Sequence, residues 1–370
     1  MKKHLFYKRS FILPLIPVSV ALILAARSSS YFAEEIYAKH IYKWISQPIS
    51  TLFGLVPFSI AEIIIVMLPF LCFGAILSFA VKMLRHKEDR KQTFIKGILN
   101  VMCLISIVLF LYTILAGINY YRATFSTYSG LEIKESTEDE LYALTKSLAL
   151  QANELRDKTT TRDEAGVFQL SLSSYETAKL ADDAFTSLSK DFPILEGAYA
   201  APKPILLSKL MSYTEITGIF FPFTTEANVN MDIPDYNIPV TMLHELAHLR
   251  GFMREDEANF IAYLAGMKSD HADLNYSSTM LALVIAGNAL YEQNPDLYFT
   301  IRAIYSEGVI KDIRANSAYW QQYDDTAVST ISNNINDTYL KANAQEDGVK
   351  SYGRMLDLLL AKYRQEHLQN

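Results

Sequence analysis

Cysteine is almost missing from this chain. Its two copies, Cys72 and Cys103, both lie in long apolar runs, and residues 123–370 hold none. That rules out a disulfide framework in the polar part and leaves any metal there to histidine and carboxylate. Glycine-rich phosphate loops, dinucleotide fingerprints and internal repeats are also lacking, which removes nucleotide-binding and solenoid classes. Charge is unevenly spread. Residues 1–119 carry 13 Lys/Arg against 5 acids, a formal +8, and the remainder carries 21 against 35, a formal −14. The acidic part has no basic stripe, so nucleic acid is not an expected partner.

What the first third does have is apolar length. A basic start (Lys2, Lys3, Lys8, Arg9) precedes the run 11–26, and further runs cover 61–81 and 98–118. Each suits a transmembrane helix, the first a short uncleaved anchor. Between the second and third lies a short basic loop with Lys82, Arg85, Lys87, Arg90, Lys91 and Lys96. The positive-inside rule puts that loop and residues 1–10 in the cytoplasm. Three spans then leave residues 27–57 and everything after Tyr121 outside. Tyr37, Tyr42 and Trp44 suit a membrane interface.

The outer part reads mostly helical. Thr137-Glu138-Asp139-Glu140 is a capping box opening a helix to about Asp157. Ser174 to Lys190, Thr330 to Ala342 and Val349 to Gln365 are helical by pattern. The stretch 277–290 is apolar but too short for a span, so it reads as a core helix. Residues 218–231, GIFFPFTTEANVNM, read as extended.

The chemistry centres on His244-Glu245-Leu246-Ala247-His248. Helix positions i and i+4 share a face, so both imidazoles can reach one cation. Neutral imidazole suits zinc, which takes three protein ligands in catalytic sites. Glu245 lies about 100° round the helix, near enough to take the proton as zinc turns water into hydroxide. Pro239 suits the first helical position, with Asn237 or Ile238 as cap, and Gly251 is placed to end the helix in a left-handed turn. Arg254-Glu255-Asp256-Glu257 opens the next helix. Its acids are candidates for the third ligand, or only complement the helix dipole. Glu255 and Glu257 point about 200° apart, so both cannot face one metal. Glu255 shares a face with Asn259 and two alanines, which favours it.

HELAH followed by Glu255-Asp256-Glu257-Ala258-Asn259 resembles the HExxH…ExxA(D/N) pattern of gluzincin metallopeptidases. The resemblance implies Glu255 as third zinc ligand and Asn259 as the partner of a ligand histidine. The gap after His248 is shorter than in most gluzincins. His248-Leu249-Arg250-Gly251 also matches the HxxG of metzincins, but their next ligand position falls on Arg254, which cannot bind zinc. The longer run FFPFTTEANVN…HELAHLRGFMREDEANFIAYLA resembles an uncharacterised family of bacterial membrane proteins, a likeness extending over most of the chain. In zincins an edge strand beside the cleft pairs with substrate backbone, which makes the 218–231 stretch its candidate here. Zincins also use a His, Tyr or Arg to stabilise an oxyanion, and Tyr352 and Arg354 are candidates, with His271 a weaker one.

The expectation is therefore a mostly α (α+β) protein of the cell membrane. Three transmembrane helices (1–122) precede a helix-rich, zincin-like metallohydrolase domain (123–370) with a short mixed sheet on the HELAH helix. Glu245, Tyr352 and Arg354 would be catalytic; His244, His248 and Glu255 would hold zinc. The partners would be the lipid bilayer and a peptide or protein near its surface. The competing expectation is a non-catalytic membrane protein with a structural metal site or a partner-binding outer domain.

Overall fold

A computed structural model describes residues 11–85, 89–324, 326–343 and 354–367. The N-terminal run folds as α1 (Leu15–Ser28), only 14 residues long. At 1.5 Å per residue that is about 21 Å, short of the roughly 30 Å of a bilayer core. The first of the three expected spans is thereby corrected. Pro14 occupies the N-cap, with Leu15 bonded back to Ile12 in a turn, and a proline biases its preceding residue away from helix. Instead α1 lies along the end of a later helix, with Leu22 and Ile23 packed against a cluster containing Tyr37, Ile118 and Tyr120.

A π-helix, Phe32–Tyr42, leads into α2 (Lys43–Gly54). Tyr37 and Tyr42 are buried inside the protein; the Tyr42 hydroxyl donates to Leu249 O at 3.0 Å. Among the described residues, two helices are long and apolar enough to cross a membrane: α3 (Ile60–Arg85) and α4 (Arg90–Leu115). Each spans 26 residues with a mean hydropathy of 2.6 in its most apolar window, and the α3 window is wholly unburied. Behind them, Arg122 makes a buried ion pair with Glu34 at 2.8 Å and donates to Arg250 O.

The capping box at Thr137 and Glu140 is present and starts α5 (Glu138–Lys158). A second one, Ser173 with Glu176, starts α6 (Ser174–Leu188). Strand β1 (Lys203–Pro204) and the short α7 (Ser208–Ser212) precede a hairpin of β2 (Gly218–Phe221) and β3 (Glu226–Val229). The sheet order is β1-β3-β2, with β1 parallel and β2 antiparallel to β3. This is the short mixed sheet expected, and β2 is one of its edges. The remaining helices are α8 (Ile238–Leu249), α9 (Glu255–Met267), α10 (Ala272–Gln293), α11 (Pro295–Arg302), α12 (Glu307–Gln321), α13 (Ala327–Ala342) and α14 (Arg354–His367). The core joins α8, α9 and α10 to α5 and α6 through fully buried residues such as Leu243, Leu246, Phe260 and Met280. The 277–290 stretch is the middle of α10 and is largely buried. A buried pair, Arg156 with Asp312 at 2.6 Å, locks α5 to α12. The fold is mostly helical, with two candidate spans and not three.

Candidate metal centre

Helix α8 begins at Ile238 with Pro239 in its first turn, where a missing N–H costs nothing. It ends at Gly251, whose φ of +84° is left-handed. That turn brings the Phe252 carbonyl to 2.7 Å from His248 Nδ1. A carbonyl only accepts, so His248 Nδ1 carries the proton and the neutral ring leaves Nε2 bare. Asn259, one turn into α9, places its Oδ1 2.8 Å from His244 Nδ1 and fixes that ring in the same way.

The two Nε2 atoms then face each other at 3.0 Å. Glu255, the first residue of α9, brings Oε2 to 3.2 Å from His244 Nε2 and Oε1 to 3.7 Å from His248 Nε2. The three ligand atoms lie within 4.8 Å of one another. Lone pairs aimed at one point repel unless a cation or proton stands between them. Tetrahedral zinc with Zn–N of about 2.0–2.1 Å sets its ligand atoms roughly 3.3 Å apart, close to the spacings here. The donor set therefore fits zinc.

Electrostatics follow from burial and from Glu255. Burial pushes the His248 imidazole down to about 4. It pushes His244 down as well, but the hydrogen bond and charge of Glu255 outweigh it and raise His244 to about 8. Burial works against the Glu255 carboxylate too, yet the adjacent His248 and His244 hold it below its ordinary value. A proton and a cation compete for the same His244 nitrogen.

Glu245 stands beside this cluster on α8. It is 3 % exposed, and among the described residues its Oε2 is buried with no hydrogen-bond partner. Burial, with the charge of Glu255, raises its carboxyl to about 8, against the opposing pull of His244 and the Phe220 amide. The edge strand presses on it. A Cβ at Gly218 would lie 2.4 Å from Glu245 Oε1 and 2.7 Å from Thr241 Cγ2, so only glycine lets β2 come this close. A cleft of about 970 Å³ runs past the cluster between β2, α8 and α13, and Tyr112 of α4 lines it as well.

Residues 37–360 match the family described as Protein of unknown function (DUF3810). The chain belongs to that family. No curated protein and no solved structure matches it. The DUF3810 match runs from the π-helix into α14 and includes both long helices, the sheet and the histidine–glutamate cluster.

The residues read from the sequence separate into two groups. His244, Glu245, His248, Glu255 and Asn259 are brought together. Asp256 and Glu257 point elsewhere: Asp256 accepts from Arg354 Nε at 3.1 Å, and Glu257 accepts from the Phe125 amide at 2.9 Å and Arg254 at 3.1 Å. Arg354 is thus held on the outer side of α9 and is not among the residues lining the cleft. Tyr352 lies outside the described residues. His271 is the N-cap of α10, accepting from Asp273 N. What sequence reading missed is a tyrosine set at the cleft wall. Tyr120 donates to the Tyr339 hydroxyl at 2.9 Å, and the Tyr112 hydroxyl lies 3.2 Å from the same oxygen. Burial, the neighbouring tyrosines and Glu255 hold the Tyr120 hydroxyl well above its ordinary value, so it stays protonated. No motif marks these residues; only packing of α13 against α4 unites them.

Proposed function

We propose that this family member is a membrane-anchored, zinc-dependent peptidase. The observation that carries the reading is the convergence of His244, His248 and Glu255, with Glu245 beside them in a cleft walled by an edge strand, its Oε2 buried with no partner among the described residues. Zinc held there would supply Lewis acidity and an activated water. The protein's own residues would do the rest. Asn259 and the Phe252 carbonyl keep both imidazoles turned inward. Glu245, whose raised carboxyl a bound cation would draw back down, would accept a proton from the attacking water and return it to the leaving amine. Strand β2 offers backbone to an extended peptide. Tyr339 takes the oxyanion-donor role that the sequence assigned to Tyr352 and Arg354, because it lines the cleft. A structural zinc is normally closed by four protein ligands, and the cluster among the described residues has three, which supports catalysis.

The membrane reading rests on α3 and α4. With two spans, α1 and the polar domain share one side, and the basic loop at 82–96 lies on the other. The six basic residues of the loop favour the cytoplasm for it and the outside for the domain, while Lys2, Lys3, Lys8 and Arg9, which three spans would count with the loop, then count on the domain's side. The hydrolase reading is tested with full-length protein and its Glu245→Gln variant in detergent. Each is incubated with a peptide library, and products are read by mass spectrometry beside metal analysis. The variant should keep the parent's zinc and lose cleavage. Equal cleavage by both proteins would overturn the role of Glu245, and zinc without cleavage in the parent would overturn the enzyme.

A further inference from the structure

Two apolar edges lie where the long helices meet the polar domain. The first is the approach to α7, where Leu206, Leu207 and Leu210 are 79 %, 45 % and 62 % exposed. Their backbone is fastened to the start of α3: the Leu206 and Leu207 amides donate to the Glu62 carboxylate at 3.0 and 2.7 Å. Glu62 is the third residue of that helix, about 3 Å of rise from its beginning. The second edge is on α13, where Ile331 and Ile335 are 60 % and 65 % exposed and follow Val328 along one face. This helix is fastened to the end of α4, since the Tyr112 hydroxyl donates to Asn343 Oδ1 at 2.6 Å. Tyr112 is three residues short of the end of α4, roughly 4.5 Å of rise. Each anchor therefore lies within about one turn of the helix end nearest the polar domain. The edges also touch each other, because Ser332 donates to Thr214 O at 2.8 Å and Asn333 to Glu215 at 2.7 Å.

We propose that these leucines and isoleucines lie in the interfacial layer of the same bilayer that α3 and α4 cross, and that the metal cleft opens onto that layer and takes its substrate from it. The inference rests on the reading of α3 and α4 as spans. Lipid is the occupant because both edges are hydrogen-bonded to the two helices whose exposed sides are themselves apolar. Large exposed apolar side chains in neighbouring elements call for a cover, and an apolar face at a membrane surface sinks about 5–10 Å into the boundary between headgroups and acyl chains. The cleft shares this position, since Ile335 of α13 and Tyr112 of α4 both line it. A polypeptide lying along the bilayer surface would reach β2 without leaving the interface.

The test uses full-length protein in phosphatidylcholine vesicles, with Cys72 and Cys103 replaced by serine. Single cysteines at Phe73, Leu210 and Ile335 carry an environment-sensitive fluorophore. Nitroxide lipids carry the quencher either near the headgroup or at the chain end. The expected result is at least a halving of emission from Leu210→Cys and Ile335→Cys by the shallow quencher and little by the deep one, with Phe73→Cys showing the reverse. Quenching at Phe73→Cys but at neither edge position would overturn the proposal while leaving the spans in place. No quenching at Phe73→Cys would overturn the spans and the proposal together.

Discussion

Replacing Glu255 and Glu257 one at a time separates the metal from the fold. The two carboxylates are two residues apart on α9 and do opposite work. Glu257 is 5 % exposed and binds the Phe125 amide and Arg254. Phe125 is wholly buried against Phe192, Phe252 and Phe260. Glu257→Ala leaves a buried amide without an acceptor, worth about 1–3 kcal/mol. It also strips Arg254 of its partner, against a full cost of about 3–5 kcal/mol for a buried pair. Arg254 is 23 % exposed and still donates to the Tyr120 and Arg122 carbonyls, so a total of about 2–4 kcal/mol is expected. The melting temperature should fall by about 5–10 °C, with zinc content unchanged. Glu255→Ala should do the reverse: the metal-free melting temperature moves less, and zinc affinity falls by more than the about 10- to 100-fold that follows loss of an orienting partner. Asn259→Ala supplies that calibration. Chelator competition and thermal melts of full-length protein in detergent give both quantities. Zinc loss in Glu257→Ala with a parent-like melt, or parent-like affinity in Glu255→Ala, would refute the ligand assignment.

Gly218→Ala should leave zinc content intact, since the three ligands lie off β2, but cut any hydrolysis sharply. Its Cβ would stand 2.4 Å from Glu245 Oε1, and a shift of about 1 Å at a reacting group costs on the order of 100-fold. Parent-like turnover would show that Glu245 is not held by the strand. Acid should weaken the fold through Glu34. Burial opposes its charge, but the Arg122 guanidinium wins and holds its carboxyl below the ordinary 4.5. A lowered folded pKa means that the pair stabilises the protein above about 4.5 and that this is lost as pH falls further. Thermal melts from pH 7 down to 3 should show a steeper decline for the parent than for Glu34→Gln, which starts about 3–5 kcal/mol lower because Arg122 is left unpaired. Parallel declines would discount the pair.

The His–Glu cluster was legible because helix periodicity alone fixes most of it. His244 and His248 share a face whatever the rest of the chain does. Gly251 signals the left-handed turn, and the face shared by Glu255 and Asn259 selects one acid among three. The extended character of 218–231 was readable from its composition, though the turn at 222–225 that folds it into a hairpin and the pressure of Gly218 on Glu245 were not. Other features depend on contacts far apart in sequence. The Phe252 carbonyl becomes a histidine partner only through the geometry of the turn. Tyr120 and Tyr339 meet across 219 residues, and nothing local marks either. Tyr37 and Tyr42 were read as interfacial because tyrosine suits both a membrane boundary and a core with one polar partner; Leu249 O supplies that partner. The first apolar run misled through length, since residues 11–14 form a turn and the 14 helical residues from Leu15 are too few to span.

The position of the His–Glu cluster relative to α3 is set by the sheet. The first amides of a helix have no partners within it and favour negative charge. At the start of α3 that charge is Glu226 of β3, whose carboxylate accepts from the Ile60 and Ala61 amides at 3.1 and 2.8 Å. Lys203 of β1 neutralises it and also donates to the Phe53 and Phe58 carbonyls. Helix α3 is thus capped by the sheet itself. From Glu226 the path is short: β3 pairs with β2 along its length, with Gly218 opposite Val229, and Gly218 lies against Glu245. A cap made by water would leave α3 free to tilt beneath the domain. A buried carboxylate shared with Lys203 does not, because moving α3 would strand two amides and an ammonium in apolar surroundings. The same contacts that cap the start of α3 therefore hold Glu245 at a fixed distance from that helix.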